Sequence, residues 1–328
     1  MTQNNQFQKL VFGKAMAFST RILSFAAFFL FPFASSVVFP SVTNAFPIYA
    51  QQAYQNPREA NGRIVCANCH LAQKPTEFEA PSAILPNSVF ETVVKIPYDV
   101  TQKQILGNGQ KGGLNVGAVV VLPEEFKLAP KNRLDEELKQ KTNGVYITPY
   151  SATQENILVV GPIAGEKNQE IIFPILSPDP KENKNVFYVK YPIYVGANRG
   201  RGQVYPTGEK TNNNVFTAIT SGKVQTLTVG PKETQVAIIN SAGETKTQVI
   251  PAGLTLLIKE NDVVAQDQAL TLNPNVGGFG QTETEIVLQD PARIYAYVAF
   301  CFSIIVTQAT FVFKKKQYEK VQLAELDF

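Results

Sequence analysis

Short runs of apolar residues separated by turn residues fill the chain between positions 80 and 290. The strand candidates among them are Phe90–Ile96, Gly117–Leu122, Ile157–Val160, Glu170–Leu176 and Val186–Val195. The first run alternates apolar and polar residues, and proline or glycine separates each run from the next. Runs of this length with such boundaries predict β-strands, and a succession of them predicts an all-β sandwich or barrel.

Helix signals are sparse in this part of the chain. Asn132 stands before the polar run Arg133–Lys141 and Gly144 follows it, which predicts one helix there. The segment Ala50–His70, which precedes the first strand candidates, is expected to be helical around its cysteine motif.

A second, smaller unit begins near Val215. Its strand candidates are Lys223–Val229, Gln235–Asn240, Thr247–Ile250 and Thr255–Lys259. The stretch Lys259–Leu270 resembles the hammerhead of biotinyl and lipoyl carrier domains, but the modified lysine of those carriers has no counterpart here. We therefore predict a small barrel-sandwich unit without carrier chemistry. Asn273–Gly280 is then a glycine-rich return to the main body, and Thr284–Leu288 is the last strand.

The first 45 residues have the features of an export signal. Lys9, Lys14 and Arg21 form a basic start, and the apolar run Ile22–Phe39 follows. Small residues at 41–45 then offer a cleavage site after Ala45. A retained membrane anchor is the alternative interpretation, because the apolar run is long for a signal peptide.

A membrane anchor is indicated near the C-terminus. Ile294–Phe313 contains twenty residues without a charge, and as a helix it is about 30 Å long, the thickness of a bilayer core. Arg293 precedes it and Lys314–Lys316 follows it. The positive-inside bias then keeps the tail 314–328 on the cytoplasmic or stromal side, with the body exported.

The exported body has almost no net charge. Residues 46–293 carry 23 Lys+Arg and 24 Asp+Glu, because the leader holds three basic residues and the tail holds four basic and three acidic residues. A net charge of −1 argues against a nucleic-acid partner and against any partner captured mainly by bulk charge.

The motif with recognisable chemistry is C-A-N-C-H at residues 66–70, and His70 is the only histidine in 328 residues. C-x-x-C-H is the attachment signature of a c-type haem, whose iron the histidine binds. A thiol–disulfide redox pair or half of a zinc site also uses two such cysteines. Zinc is disfavoured because the one other cysteine, Cys301, lies in the apolar C-terminal stretch. We predict one covalent haem c on Cys66 and Cys69, with an anchored thiol-redox protein as the alternative.

The second axial position of such a haem has no ordinary ligand in this chain. A second histidine is missing, and the only methionines, Met1 and Met16, lie in the leader. Cleavage after Ala45 frees the α-amine of Phe46, whose ordinary pKa of about 7.7–8.0 makes the neutral form accessible near neutral pH. Pro47 stiffens its approach. Our hypothesis is that this amine is the sixth ligand; an open position and ligation by lysine or tyrosine are the alternatives.

Four stretches give the chain a resemblance to the cytochrome f family, the large haem subunits of photosynthetic cytochrome bf complexes. They are Phe46–Gln52, Asn56–Cys66, Asn198–Pro206 and Lys314–Leu323. The resemblance implies a large immunoglobulin-like sandwich domain that carries the haem, formed by residues 46–213 and 277–293. It also implies a small inserted domain at 214–276 and one C-terminal transmembrane helix at 294–313.

The resemblance further implies the ligands and their surroundings. His70 and the α-amino group of Phe46 would be the axial ligands, although most family members have tyrosine at that terminus. The residues expected around the haem are Pro47, Tyr49, Pro162, Tyr205 and Pro206. A buried chain of waters would be lined by Gln104, Asn198, Gln203 and Asn213. Buried polar side chains are generally hydrogen-bonded whatever their role, which is the alternative reading of those four.

The partners also follow from the resemblance. Electrons would arrive from the Rieske iron–sulfur protein and leave to plastocyanin or a soluble lumenal c-type cytochrome. The cytochrome b-type subunit and the other subunits of the complex would be further partners in the thylakoid membrane, with the haem domain in the lumen. Quinol oxidation would belong to those other subunits, so the chain itself is expected to be an electron carrier and not an enzyme.

Docking of the soluble acceptor is expected to depend little on charge. Plant members of the family use a basic patch for acidic plastocyanin, and Lys103 and Lys111 stand where two of its lysines fall. Gln110 replaces a third lysine, and the body is nearly neutral. We therefore expect weak electrostatic steering. Apolar contacts near the haem would decide docking, with Tyr49, Pro162 and Pro206 as the candidates.

Overall fold

The computed structural model describes residues 47–326, so the predicted leader 1–45 and Phe46 lie outside the described residues. The helices are α1 (Pro47–Ala53), α2 (Glu136–Lys141) and α3 (Pro291–Leu326), with 3-10 turns at Val65–Asn68 and Lys131–Arg133. The strands are β1 (Glu77–Glu79), β2 (Ala83–Ile84), β3 (Val89–Lys95), β4 (Gln104–Ile105), β5 (Lys111–Gly112), β6 (Asn115–Val121), β7 (Lys127–Leu128), β8 (Ile147–Ser151), β9 (Gln154–Ala164), β10 (Glu170–Leu176), β11 (Lys190–Arg199), β12 (Gly222–Val229), β13 (Glu233–Ile239), β14 (Thr245–Pro251), β15 (Val263–Val264) and β16 (Gly278–Leu288). The predicted all-β fold class with one long C-terminal helix is confirmed.

Two sheets share the main core. One has the strand order β1-β3-β10-β7, and the other has the order β2-β16-β11-β6-β9-β8. The neighbouring strands are antiparallel, except that the short β2 pairs with β16 in parallel. Val94 and Phe173 from the first sheet and Val120 and Ile193 from the second are fully buried in the shared core. This arrangement is the sandwich that the strand pattern predicts.

The continuous apolar runs of β6 and β9 reflect burial on both faces of the larger sheet. In β6, Ala118 and Val120 belong to the sandwich core, whereas Val119 and Val121 pack with Ile64 on the opposite face. Side chains alternate between the two faces of a strand, so a strand covered on both sides needs apolar residues at successive positions. The cover on the outer face is the N-terminal segment, which includes Ala50 of α1.

A third sheet, with the order β14-β13-β12-β15, has its own core. It lies in the chain between β11 and β16, which pair along ten residues and place Arg199 opposite Gly278. The chain therefore leaves and re-enters the larger sheet at the same end. The exact division into domains at residues 213/214 and 276/277 stays a prediction.

Several predicted elements need correction. The helix predicted from Arg133 begins at Glu136, because the Asp135 side chain accepts a 2.7 Å hydrogen bond from the Leu138 N–H and so caps it. The segment Ala50–His70 is helical only at its two ends. The run Val186–Val189 precedes β11 and is not part of the strand, which extends further, to Arg199.

The strand predicted at Thr255–Lys259 is also wrong. The segment forms one isolated bridge, between Leu256 and Thr271, and the strand beside β12 at that edge of the third sheet is β15 instead. Leu254 and Leu256 pack against the core of that sheet without a continuous partner strand. An alternating pattern reports which side chains are buried, and it does not by itself require a paired backbone.

The C-terminal helix α3 is the one helix among residues 47–326 that is long and apolar enough to cross a membrane. It begins after Asp290, whose carboxylate accepts a 2.9 Å hydrogen bond from the Ala292 N–H. It continues past the predicted span 294–313 through the lysine cluster Lys314–Lys316. The expectation of a single membrane-spanning helix at this end is confirmed in length and composition.

Replacement of Phe173 by alanine tests the sandwich core. Phe173 is fully buried between the sheets, so Phe173→Ala should lower the free energy of unfolding by about 3–5 kcal/mol. The matched control is Tyr146→Ala, because Tyr146 is an aromatic residue with 82% of its surface exposed and should cost less than about 0.5 kcal/mol. Denaturant unfolding measures both, and equal effects would contradict the assigned core.

Candidate haem site

The C-x-x-C-H motif forms a tight turn on the outer face of the larger sheet. The 3-10 turn Val65–Asn68 is closed by the N–H groups of Cys69 and His70, which donate to the Cys66 carbonyl at 3.2 and 3.0 Å. The residue before the turn, Ile64, is buried against the sheet, and its N–H donates to the Gln281 side chain at 3.1 Å. The turn is therefore bonded directly to β16.

His70 lies inside the protein in a state suited to metal binding. Its side chain is buried, and burial lowers its pKa to about 4, so the imidazole is neutral at physiological pH. The ring atom Nδ1 is buried and has no hydrogen-bond partner among the described residues. The residue also lines a cavity of about 800 Å³ together with Phe279 and Gln281. A neutral imidazole beside such a cavity fits the histidine ligand of a haem.

The two motif cysteines are protonated thiols. Burial raises the pKa of the Cys66 thiol to about 12, and burial also raises the pKa of Cys69. Neither cysteine forms a disulfide in the described part of the chain. Reactive redox cysteines need a lowered pKa, because the thiolate is the nucleophile. The raised pKa values therefore disfavour the thiol-redox alternative. They are compatible with thioether formation, in which the S–H bond of each thiol adds across a vinyl group of the haem.

The segment after β11 clamps the motif. The Gln203 N–H donates to the Cys69 carbonyl at 2.7 Å, and the Gln203 side-chain oxygen accepts from the Leu71 N–H at 2.8 Å. A Cβ atom at Gly202 would lie 3.2 Å from the Cys69 carbonyl oxygen and 3.3 Å from its Cβ. Glycine at 202 thus permits the close approach of the two backbones. Gln203 joins the clamp and the polar network beside it.

Three of the four residues predicted to line a water chain meet at Arg201. The Arg201 N–H donates to the Gln104 side-chain oxygen at 2.8 Å, and the Arg201 carbonyl accepts from the side chains of Gln203 and Asn213 at 2.9 and 2.8 Å. Gln104, Gln203, Asn213 and Arg201 are all buried. Hydrogen bonds join these residues directly, but the buried atoms Asn213 Oδ1 and Arg201 Nε have no partner among the described residues. The predicted role of the side chains along a chain of waters stays a prediction.

Asn198 lies apart from that network. Its side-chain oxygen sits over Gly117, where an added Cβ would come within 3.0 Å of it. The backbone of Gly161 also approaches Gly117 closely, and Pro162 follows it in the chain. Asn198 and Pro162 are therefore grouped around one glycine of β6.

The other residues expected around the haem lie in two parts of the chain. Pro47 and Tyr49 belong to α1, whereas Tyr205 and Pro206 follow the clamp segment. The Tyr205 side chain hydrogen-bonds to Arg201. Their predicted roles beside the haem stay predictions.

Helix α1, which begins one residue after Phe46, is held against the sheet by Tyr150. The Tyr150 hydroxyl lies 2.7 Å from the carbonyl oxygens of both Ala50 and Tyr54, and the Gln51 side chain donates to the Tyr150 carbonyl at 2.8 Å. Ala50, Tyr150 and Cys66 belong to one apolar cluster. The sheet thus positions α1 and the motif together.

Two buried arginines were missed in the sequence. Arg199 is fully buried, donates to the Pro75 carbonyl and to the Thr76 hydroxyl, and forms no ion pair within residues 47–326. Burial lowers its pKa to about 10, so it stays charged at neutral pH. Pro75 and Thr76 line the cavity that His70 lines. The sequence does carry one indication that both arginines are buried: Gly200 and Gly202 alternate with them, and glycines allow close packing around large side chains.

Comparisons with known proteins agree over most of the chain. A family model described as "Apocytochrome F, N-terminal" matches residues 46–200, and one described as "Apocytochrome F, C-terminal" matches residues 212–328. The chain is 60% identical to "Cytochrome f" of Emiliania huxleyi over 93% of this chain and 100% of the relative. It is 64% identical to "Cytochrome f" of Pyropia yezoensis over 89% of this chain and 91% of the relative. It is 56% identical to "Cytochrome f" of Chlorokybus atmophyticus over 97% of this chain and 100% of the relative.

Replacement of Gln203 by methionine tests the clamp. The variant keeps the backbone bond to Cys69 but leaves the Leu71 N–H without its partner, so the free energy of unfolding should fall by about 1–3 kcal/mol. Gln102→Met, at an exposed position, should change it by less than about 0.5 kcal/mol. Denaturant unfolding of the haem-loaded proteins measures both. An unaltered Gln203→Met protein would show that the side chain does not hold the motif.

Proposed function

The chain belongs to the cytochrome f family of c-type haem proteins, and from this premise we propose that it carries electrons from the Rieske iron–sulfur protein to plastocyanin or a soluble lumenal c-type cytochrome. It is an electron-transfer subunit with one covalently bound haem c, and its family belongs to the cytochrome bf complex. The observation that carries the proposal is His70, the single histidine, buried in the C-x-x-C-H turn beside a cavity.

The motif residues would hold the haem. Cys66 and Cys69 would form the thioether bonds, and His70 would supply one axial nitrogen. When bound, the haem supplies a reversible one-electron iron couple. Hydrogen bonds to β16 and to Gln203 hold the motif turn from two sides. Such fixing would limit the structural rearrangement of the site at each electron transfer.

The second axial ligand would be the α-amine of Phe46. Apart from His70, no histidine or methionine occurs in residues 46–328, so the two usual second ligands are missing from the mature chain. Helix α1 follows Phe46 directly and is tied by Tyr150 to the cluster that includes Cys66. His70 and this amine together would leave no position on the iron open to other molecules. Lysine and tyrosine side chains are the rival ligands.

Buried positive charge near the motif should favour the reduced haem. Arg199 contacts the residues 75 and 76 that follow the motif, and Arg201 lies one residue from the clamp glycine, Gly202. A cation in a low-dielectric interior disfavours an added positive charge nearby, and ferric iron carries one more positive charge than ferrous iron. These two side chains would therefore raise the potential of the couple.

The chain is a single-pass thylakoid membrane protein by its helix α3 and its family. We propose that the haem-bearing body faces the lumen and that the tail 314–328 faces the stroma or cytoplasm. The support for this orientation is the lysine cluster Lys314–Lys316 beyond the apolar stretch.

Electrostatic steering of the acceptor is expected to be weak. Lys103, one of the two lysines at the expected docking patch, is paired at 3.1 Å with Glu166, and both side chains are about half exposed. A paired surface lysine presents little net charge to an approaching partner. The other lysine, Lys111, lies on the short strand β5.

Mixing experiments test the proposed role. The ferrous protein, mixed with oxidised plastocyanin or a soluble c-type cytochrome, should lose its reduced haem band at a rate proportional to acceptor concentration. The ferric protein should gain that band when the reduced Rieske protein is added. Absence of both reactions in a protein with intact haem would overturn the proposal.

An extra alanine inserted after Ala45 tests the amine ligand. The mature chain would then begin one residue before Phe46, and the displaced amine should no longer meet the iron in the same geometry. We expect the low-spin absorption spectrum to change, whereas Phe46→Tyr, which keeps the amine in place, should preserve it. Mass spectrometry establishes each N-terminus. An unchanged low-spin spectrum in a chain with the confirmed extra residue would rule the amine out.

Salt titration tests the docking mode. The rate of oxidation by plastocyanin should fall less than about threefold between about 50 and 500 mM salt, because a nearly neutral surface gives little steering. Lys103→Gln should change the low-salt rate equally little. The control is Lys184→Gln, at an exposed lysine before β11, because the other end of that strand leads to Arg201 and Gln104. A steep fall with salt that Lys103→Gln abolishes would instead establish a charged docking patch.

A further inference from the structure

Three large apolar side chains are exposed where the body of the protein meets its membrane helix. Leu85, Phe187 and Val189 have 48%, 62% and 48% of their surfaces exposed. They lie on two separate turns, one after β2 and one before β11. We refer to these three residues as the apolar rim.

Backbone hydrogen bonds place both turns next to the start of α3. The Leu288 N–H donates to the Val189 carbonyl at 3.1 Å, and the Gln289 N–H donates to the Ile84 carbonyl at 2.8 Å. The next residue, Asp290, caps α3. The two turns that carry the apolar rim are therefore bonded to the last two residues before the helix cap, and the rim cannot lie far from the surface of the membrane that α3 crosses.

The exposed side chains are held in position by their own turns. The Tyr191 hydroxyl lies 3.0 Å from the Phe187 nitrogen and 2.9 Å from its carbonyl oxygen, and so bonds both. The hydroxyls of Ser88 and Ser177 donate to the Leu85 carbonyl at 2.6 and 2.7 Å. Fixed backbones that present large apolar side chains outward are typical of an interaction surface.

We propose that the apolar rim inserts into the headgroup–acyl boundary of the lipid bilayer that α3 crosses. Continuity with the anchor selects lipid as the occupant, because the turns are bonded to residues 288 and 289 and the apolar stretch begins at Ile294. Tyr295, in the first turns of α3, is exposed and is the aromatic type enriched at this boundary. Charges of both signs adjoin the rim: Asp179 and Asp290 lie near Tyr188, Lys190 follows Val189 in the chain, and Arg293 lies in the first turn of α3.

The consequence is a second point of attachment that orients the body. A single helix leaves the body free to tilt and rotate, whereas a helix and an adjoining apolar rim restrict both motions. Strand β11 begins one residue after the rim and ends ten residues later at Arg199, beside the haem motif, a span of about 30 Å. The rim would therefore hold the haem site at a set height above the lipid.

A single tryptophan reports on the proposal directly, because the natural chain contains none. Phe187→Trp is prepared as the full-length, haem-loaded protein in phosphatidylcholine nanodiscs, with and without bromine on the acyl chains. Bromine quenches fluorescence only at short range, and we expect the signal to fall by about half because boundary residues lie about 5–10 Å deep. The ratio of the two signals removes the constant quenching by haem.

The matched control is Val263→Trp. Val263 is apolar and 78% exposed, but it lies on β15 of the third sheet. That sheet joins β16 at Gly278, the end of the strand that lies about 35 Å from Leu288. Its fluorescence should be the same in both lipids. If Phe187→Trp fails to bind haem, Leu85→Trp serves as the reporter.

Equal fluorescence of the rim reporter in the two lipids would overturn the proposal. A blue shift seen only after addition of the other subunits of the complex would overturn it too, because it would identify a protein as the occupant. Electron transfer measured on the same samples separates this result from the proposed function, since neither rim variant touches the haem site.

Discussion

The bond between the Gln203 N–H and the Cys69 carbonyl joins the two parts of the chain on which the haem site depends. Cys69 belongs to the motif turn near the N-terminus, and Gln203 follows the central strand β11 of the larger sheet. The bare backbone at Gly202 allows the contact, and the Gln203 side chain extends it to Leu71. The sandwich thereby holds a short 3-10 turn that has little internal structure of its own.

The pairing of β11 with β16 extends this constraint across the molecule. The two strands pair along ten residues, from Lys190 and Val287 at one end to Arg199 and Gly278 at the other. One end leads directly into the membrane helix, and the other leads to the haem motif and the third sheet. A single ladder of hydrogen bonds thus connects the anchor with the candidate haem site and sets the distance between them.

Haem binding could be predicted from the sequence because its signature is five consecutive residues, Cys66–His70, and because they include the only histidine of the chain. The longer strands of the sandwich could be placed because burial on one or both faces sets their apolar pattern. The helix start could not, because Asn132 and Asp135 are both good caps and only the bond to Leu138 distinguishes them. The polar network was beyond local patterns, since Gln104 and Arg201 meet across 97 residues. Arg199 was missed because arginine is usually exposed.

The intact mass of the membrane-extracted protein under denaturing conditions shows whether the chain carries a covalent haem and where it begins. We expect the mass of residues 46–328 plus one haem, which would establish covalent attachment and a free amine on Phe46 together. An unmodified chain would contradict the haem site built on Cys66, Cys69 and His70. A haem-bearing chain with a different N-terminus would contradict the Phe46 ligand.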